Sequence, residues 1–432
     1  MDSKFFKIGD VFNVEKGLVQ SSKNVEGQFD FITASAEWKT HNEYSHDCEA
    51  LVFAAGAAGS LGRTHYVNGK FIASDLCFVL TPKDNLIDKV DLKFYFYYFN
   101  LNKDTIVKST ATGTSKLAIN MKNFINYCIP LPSIEYQKLG RERIEEVEPK
   151  INELDLIFEK NLTYITRLRQ SILQEAVQGK LVPQDPNDEP ASILLEKIKK
   201  EKERLIKEGK IKKEKPLPPI KDDEIPYELP KGWEWVRLGE LCSYIQRGKS
   251  PKYSNVEEIP VVSQKCIQWN GFDISKARFI DPMSLDGYAE ERFIEPLDLL
   301  WNSTGLGTLG RINVYPKIKL YDKVVADSHV TVIRPFKNFI YSKYLYLWFS
   351  GPIVQGEIND KSTGSTKQAE LNTTTVKEYI VPLPPINEQK RIVEKVEQFM
   401  ALCDELEKNI EQCKKDSELL MQSVLQEAFK EK

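Results

Sequence analysis

No run of about eighteen apolar residues occurs in this 432-residue chain, so no segment reads as a membrane-spanning helix. The opening Met1-Asp2-Ser3-Lys4 leads into no long apolar region, the pattern of a chain without a signal peptide, and a cytoplasmic location is expected. Histidine is scarce: four residues, none beside a plausible nucleophile, so no Ser/His/Asp or Cys/His catalytic set can be built. The seven cysteines form no C-x-x-C pair and no zinc-type spacing, and read as reduced, mostly buried thiols. No G-x-x-x-x-G-K-S/T phosphate loop is present, which excludes an ATP motor. No D/N-P-P-Y/F tetrapeptide is present either, the element with which amino-methyltransferases hold a target base. Excess basic charge is missing too. Lys and Arg number 60 against 63 Asp and Glu, a net charge of −3, so any nucleic-acid surface must be local.

What the chain does have is a long internal repeat. Pro130-Leu131-Pro132 through Gln137 to Gln174-Glu175-Ala176 returns as Pro382-Leu383-Pro384 through Gln389 to Gln426-Glu427-Ala428. Every matched position is offset by 252 residues, far longer than a solenoid period. Two similar halves, each ending in a long helix, are expected.

The helices are read from apolar spacing. Ile144, Val147, Ile151, Leu154, Phe158, Ile165, Leu168 and Ile172 step by three and four, with one gap at Asn161. Val396, Phe399, Cys403, Leu406, Ile410, Cys413, Leu420 and Val424 answer them, broken only at Ser417. This is a coiled-coil seam about 42 Å long, most simply buried stripe against stripe. Asn161 on the seam would set register. Gly140, inside the first helix, costs roughly 1 kcal/mol relative to Ala, so a kink, fraying or a later helix start is expected there.

Two globular units precede the long helices. In the first, short β-type runs at Phe29–Thr33, Ala50–Ala54 and Phe71–Leu80 are followed by an aromatic helix over 93–99. Gly179 and the prolines from Pro183 to Pro190 end the first long helix. A shorter helix from Ala191 to about Gly209 leads to the extended strap Lys215-Pro216-Leu217-Pro218-Pro219. The divisions expected are 1–132, 133–212, 213–384 and 385–432. The globular units also echo each other. Gly59-Ser60-Leu61-Gly62-Arg63 answers Gly307-Thr308-Leu309-Gly310-Arg311, and Thr112-Gly113-Thr114-Ser115-Lys116 answers Thr363-Gly364-Ser365-Thr366-Lys367. One scaffold with different loops suits two recognition domains for two ligands.

Several motifs are weighed against plainer readings. Gly305 to Gly310 spells G-x-G-x-x-G, but a strand-like run follows where a dinucleotide site needs a helix, so a strand-turn-strand element with an exposed Arg is expected. His41, His46 and Cys48 lie close together without a completing cluster and read as surface-loop residues. Phe94, Tyr97, Tyr98 and Leu101 fall at helical spacing, which favours core packing over base stacking. Lys116 and Lys367 stand in Thr-Gly-Ser/Thr loops that suit phosphate oxygens; the same loops also read as ordinary linker turns. Arg63 and Arg311 share that ambiguity.

These stretches resemble the specificity (S) subunit of type I restriction-modification enzymes, over essentially the whole chain. The resemblance is strongest in Leu181 to Ala191, in Glu228-Leu229-Pro230-Lys231-Gly232-Trp233-Glu234-Trp235, and in Pro382-Leu383-Pro384-Pro385 through Glu388 to Ile392. It implies an α+β architecture with a pseudo-two-fold internal repeat. Two similar α/β target-recognition domains would be held apart by two long antiparallel coiled-coil helices. Each domain would read one half of a split, asymmetric site on double-stranded DNA. The helix pair would act as ruler and as dock for two methyltransferase (M) subunits carrying S-adenosylmethionine and adenine methylation. Restriction (R) subunits would add translocation and cleavage. No cofactor, metal or catalytic residue is expected in this chain. Candidate DNA contacts are polar or cationic loop residues: Lys39, His65, Tyr66 and Lys70 in the first domain; Lys249, Lys252, Tyr253, Gln264, Lys265 and Asn270 in the second; and Arg63, Arg311, Lys116 and Lys367. The competing readings are a coiled-coil scaffold that never reads DNA and a stand-alone methyltransferase.

Overall fold

A computed structural model describes residues 4–57, 59–113, 117–305, 307–318, 321–363 and 369–429. By packing, the chain divides into two compact units, residues 1–161 with 409–432, and residues 162–408. Each unit combines one globular domain with a segment of each long helix.

The first unit is built on a six-stranded sheet in the order Phe12–Lys16, Cys77–Pro82, His46–Ala54, Thr64–Ala73, Phe29–Ile32, Lys39–His41. All neighbours are antiparallel except Phe29–Ile32, which runs parallel to Thr64–Ala73. The expected Phe71–Leu80 strand is in fact two, split at Ser74. The chain turns there, Cys77 N–H donating to Ser74 C=O at 2.9 Å. Helix Leu92–Leu101 is capped by Asp91, whose carboxylate accepts from Phe94 N–H at 3.0 Å. It buries Phe94, Tyr95, Tyr98 and Phe99 against Phe12, Phe53 and Phe124. Of the four residues expected in the core, Phe94 and Tyr98 are buried, whereas Tyr97 and Leu101 are half-buried.

The second unit repeats the plan with more pieces. Cys242–Arg247, Val330–Pro335, Leu299–Asn302 and Ile312–Val314 form one antiparallel sheet. Tyr253–Ser254, Arg278–Ile280, Pro260–Val262 and Val325–Ala326 form another, and Ile267–Gln268 pairs with Gly271–Phe272 as a separate hairpin. Leu299–Asn302 and Ile312–Val314 flank the G-x-G-x-x-G turn, so that element is strand-turn-strand. Helix Ala191–Lys207 buries Ala191, Leu194 and Ile198 in the main core of this unit. The proline strap is gripped by buried Arg237, which donates to Pro218 and Pro219 carbonyls at 3.2 and 3.0 Å. Arg237 also pairs with Glu224 at 2.7 Å and holds that carboxyl down at about 2.

Both long helices are 44 residues, Ile134–Val177 and Ile386–Phe429. Each is anchored near its start by a fully buried glutamine. Gln137 accepts from Asp91 N–H (2.8 Å) and donates to Lys89 and Pro132 carbonyls (both 2.8 Å). Gln389 accepts from Tyr341 N–H (2.8 Å) and donates to Pro384 C=O (3.0 Å). The helices are antiparallel: within the first unit Tyr136 reaches Glu427 C=O (3.4 Å) while Glu159 pairs with Lys414 (3.5 Å). Within the second, Arg169 meets Asp404 at 2.6 Å and Glu407 at 3.0 Å. The first helix ends at Gly179, whose φ of +69° lets Lys180 N–H return to Glu175 C=O at 2.9 Å.

Two expectations about the helices are corrected. The first helix starts at Ile134 and runs unbroken through Gly140. A Cβ there would stand 2.9 Å from Ala428 O and 3.3 Å from the Phe94 ring, so close approach, not helix breaking, is what the glycine serves. The helix also accommodates Pro149, which has no N–H to donate to Glu145 C=O. The seam is only half covered. Ile144, Ile151, Ile165, Ile172, Val396 and Cys403 are buried, and Val147, Phe158, Asn161, Phe399 and Ile410 are half-buried. Leu154, Leu168, Leu406, Cys413 and Leu420 are exposed, whereas Ser417, expected as a break, is buried. Burial thus recurs once per heptad instead of twice. The apolar stripe is wider than the chain covers, since Leu156 is 69% exposed and Leu419 60% exposed beside it.

Candidate nucleic-acid interface

In the second domain a chain of polar contacts gathers residues from five separate segments. Tyr253 donates its hydroxyl to Asp327 at 3.3 Å, and the Arg278 guanidinium lies 3.5 Å above the Tyr253 ring. The other Asp327 oxygen accepts His329 N–H at 2.6 Å. His329 Nδ1 is 2.7 Å from Thr304 Oγ1, and Gln264 Nε2 donates to the Thr304 carbonyl. Burial first, then the Asp327 charge and hydrogen bond, raise the Tyr253 hydroxyl, keeping it a neutral donor. Tyr253 and Gln264 therefore belong to one polar surface, linked through Asp327, His329 and Thr304. Those three linking residues were not anticipated. The pairing of Asp327 with His329, one of only four histidines, was the signal that could have shown them.

The other anticipated residues divide. Lys249 donates to Gly287 C=O and lies 4.9 Å above the Tyr288 ring, and Lys252 pairs with Asp281 at 3.0 Å. Lys265 and Asn270 are exposed, flanking and topping the Ile267–Phe272 hairpin. Arg311 is half-buried, not exposed: it donates to Gln268 Oε1 and to Gly307 C=O, both at 2.7 Å.

In the first domain, Lys39 is exposed on the edge strand, and Lys70 is exposed 4.8 Å above the Tyr44 ring. His65 is buried and accepts from Trp38 Nε1–H on Nδ1 at 3.1 Å. Burial, aided by the Arg63 charge, lowers its pKa, so the imidazole is neutral and Nδ1 free to accept. Tyr66 is half-buried, its hydroxyl pushed up to about 12 by burial and by the Glu49 carboxylate. His65, Tyr66 and Trp38 share an open cleft of about 460 Å³ with Lys93, Phe96 and Glu145. Arg63 is half-buried and donates to Ala34 C=O at 3.1 Å. His41 and His46 are strand residues, not loop residues; His41 is buried and His46 stacks on Phe71 at 5.0 Å. Lys116 and Lys367 lie outside the described residues.

Among the described residues, no group of three or more His, Cys, Asp or Glu could hold a metal ion, and the cysteines are unpaired. Of these, Cys77, Cys242, Cys266 and Cys403 are buried as expected of structural thiols, while Cys128 and Cys413 are exposed. No described helix is long and apolar enough to cross a membrane. Both domains thus present polar side chains on loops and strand ends, with sheet edges and turns carrying the cations. That is a binding geometry suited to an extended polar ligand.

Comparison with known proteins gives this geometry its class. Residues 1–159 and 230–413 match the family described as "Type I restriction modification DNA specificity domain", and the chain belongs to that family. It is 37% identical over 246 residues to the type I restriction enzyme EcoAI specificity subunit of Escherichia coli, covering 56% of this chain and 41% of that protein. It is 33% identical over 254 residues to the EcoEI specificity subunit, again covering 42% of that protein. These matches therefore span about two fifths of those relatives' length. The EcoDI specificity subunit is 24% identical over 440 residues, 100% of this chain and 88% of that protein. In fold, the chain resembles the HsdS subunit from Thermoanaerobacter tengcongensis, with a TM-score of 0.59, 18% identity and coverage of 99% and 96%. A chain from a structure of type I R-M complex assembly and conformational transition matches with a TM-score of 0.66, 18% identity and coverage of 99% and 97%.

Proposed function

We propose that this chain is the non-catalytic, DNA-reading subunit of a cytoplasmic type I restriction-modification assembly. Each globular domain, 1–132 and 213–384, reads one half of a bipartite, asymmetric duplex site, and the long helices set the spacing between halves. The observation that carries this reading is the duplication. The family domain is matched twice, on one framework with one helix offset, while the loops above each sheet differ. A repeated framework with divergent loops suits two different half-sites. The exposed apolar positions along both helices, Leu154, Leu168, Leu406 and Leu420 among them, support docking of two methyltransferase subunits. S-adenosylmethionine and adenine methylation belong to those partners, and cleavage to restriction subunits. Lys39, Lys70, Lys265, Asn270 and Gln264 are proposed DNA contacts, with Lys116 and Lys367 as phosphate ligands.

The test is domain exchange in the complex with the modification subunit, followed by methylome sequencing. Replacing residues 231–384 with the matching domain of another family member should change one half of the methylated sequence. A change in both halves, or no methylation by the parent complex at a bipartite site, would overturn the reading. Lengthening both helices by one heptad should change the tolerated gap.

A further inference from the structure

The two domains share a topological slot that neither the repeat nor the family match singles out. In the first domain, Phe29–Ile32 runs parallel to Thr64–Ala73 and antiparallel to Lys39–His41. In the second, Pro260–Val262 runs parallel to Val325–Ala326 and antiparallel to Arg278–Ile280. The connections between the antiparallel partners, residues 33–38 and 263–277, therefore occupy the same place in each sheet. They differ in length and sequence, yet each presents an exposed indole. Trp38 is 40% exposed and Trp269, at the hairpin turn, 56% exposed.

Both connections are braced by the same framework element. Arg63 and Arg311 end the matching Gly-x-Leu-Gly-Arg turns. Arg63 donates to Ala34 C=O at 3.1 Å, and Arg311 donates to Gln268 Oε1 at 2.7 Å. Two residues further along each strand comes a second brace. His65 Nδ1 accepts from Trp38 Nε1–H at 3.1 Å, and Asn313 Nδ2 donates to Gln268 C=O at 2.7 Å. Different loops are thus held by the same two positions, so the braces belong to the scaffold and the loops to the ligand. An exposed large aromatic on a braced loop is preorganised for contact, because little side-chain or loop entropy remains to be lost on binding. Cationic or polar neighbours, Lys39 beside Trp38 and Asn270 beside Trp269, fit a phosphate-lined groove.

We infer that Trp38 and Trp269 are equivalent base-contacting residues, one per half-site, and that Arg63 and Arg311 are their positioning residues. The indole would lie against base edges or a thymine methyl, or wedge at a base step, of duplex DNA. This rests on the DNA-reading function proposed above.

The experiment uses the complete complex with its modification subunit and measures affinity for the cognate duplex and for duplexes altered in one half-site at a time. Trp269→Ala should reduce discrimination at one half-site about tenfold and leave the other unchanged, and Trp38→Ala should do the converse. Arg311→Ala should reproduce the Trp269→Ala pattern, and the double variant should lose no more than Trp269→Ala alone. A purely structural arginine would lower thermal stability without selecting a half-site. In the unsubstituted complex, cognate duplex should protect Trp38 and Trp269 from oxidation by N-bromosuccinimide, mapped by mass spectrometry, and a shuffled duplex should not. Unchanged half-site discrimination in both tryptophan variants, or indoles equally reactive with and without cognate DNA, overturns the inference while the functional reading stands. An unsubstituted complex with no sequence preference overturns both.

Discussion

The two units share their anchors and differ in their loops. Gln137 and Gln389 stand at one offset, are equally buried, and tie the same kinds of backbone group at the start of each long helix. Tyr95 and Tyr344 likewise donate to Pro130 and Pro382 carbonyls at 2.7 and 2.6 Å. Above these anchors the likeness fades. Residues 33–38 make a plain connection in the first unit, and 263–277 hold a hairpin in the second. Duplication has been kept where buried hydrogen bonds leave no freedom, and lost where side chains face solvent. Unsatisfied buried groups are costly; exposed loop changes are nearly neutral.

The largest test of the comparison lies at a position where the anchors disagree. Gly140 and Ile392 are equivalent by offset, yet one is glycine and the other a fully buried isoleucine. Ile392→Ala should cost about 2–5 kcal/mol in urea unfolding, through a cavity at the start of the second helix. Gly140→Ala should cost about 1–3 kcal/mol even though alanine favours helix, because the new methyl meets Ala428 O and Phe94. A stabilising Gly140→Ala would show that the helix ends can separate freely there.

Next comes the shared clamp. Gln137→Ala and Gln389→Ala should each destabilise by about 1–3 kcal/mol, by leaving partly buried backbone groups without a partner. The first should cost more, since Gln137 makes three such bonds and Gln389 two. Equal losses would argue that the two clamps carry the same load despite the different bond sets.

The smallest expected effect separates the loop braces. His65 can titrate and Asn313 cannot. The folded pKa of His65 is lowered, so its unfolded form takes up a proton first as pH falls below about 6.5. Stability contributed by the neutral imidazole is full above that value and declines as pH falls toward the lowered folded pKa. Below the lowered folded pKa the folded imidazole itself takes up the proton and loses the Nδ1 lone pair that Trp38 uses. Acidification past that point should raise the oxidation rate of Trp38 and leave that of Trp269 unchanged, and His65→Asn should remove the pH dependence.

Much of the framework was legible in the residues. The repeat predicted two equal helices, and the Gly-Pro-rich stretch after Val177 predicted the first helix's end. Aromatic spacing predicted the core role of Phe94 and Tyr98 but not that Tyr95 and Phe99 would be buried instead of Tyr97 and Leu101. The candidate contacts were less legible. Arg63 and Arg311 read as exposed cations because turn composition says nothing about what lies under a guanidinium. Thr304 went unnoticed beside Asp327 and His329 because it meets them only when segments far apart in sequence align. The exposed half of the seam was hidden for a related reason. Three-four periodicity measures how much apolar surface a helix carries, and not how much of it one neighbour covers.

Periodicity, offset and turn chemistry are local properties, so the sequence by itself determined that this protein is a duplicated domain with two long helices. Only the tertiary structure decided that Gly140 serves close packing, that burial follows one stripe of the heptad, and that two unlike loops fill one slot under the same arginines. Each of these depends on distances between segments remote in the chain, which no local pattern encodes.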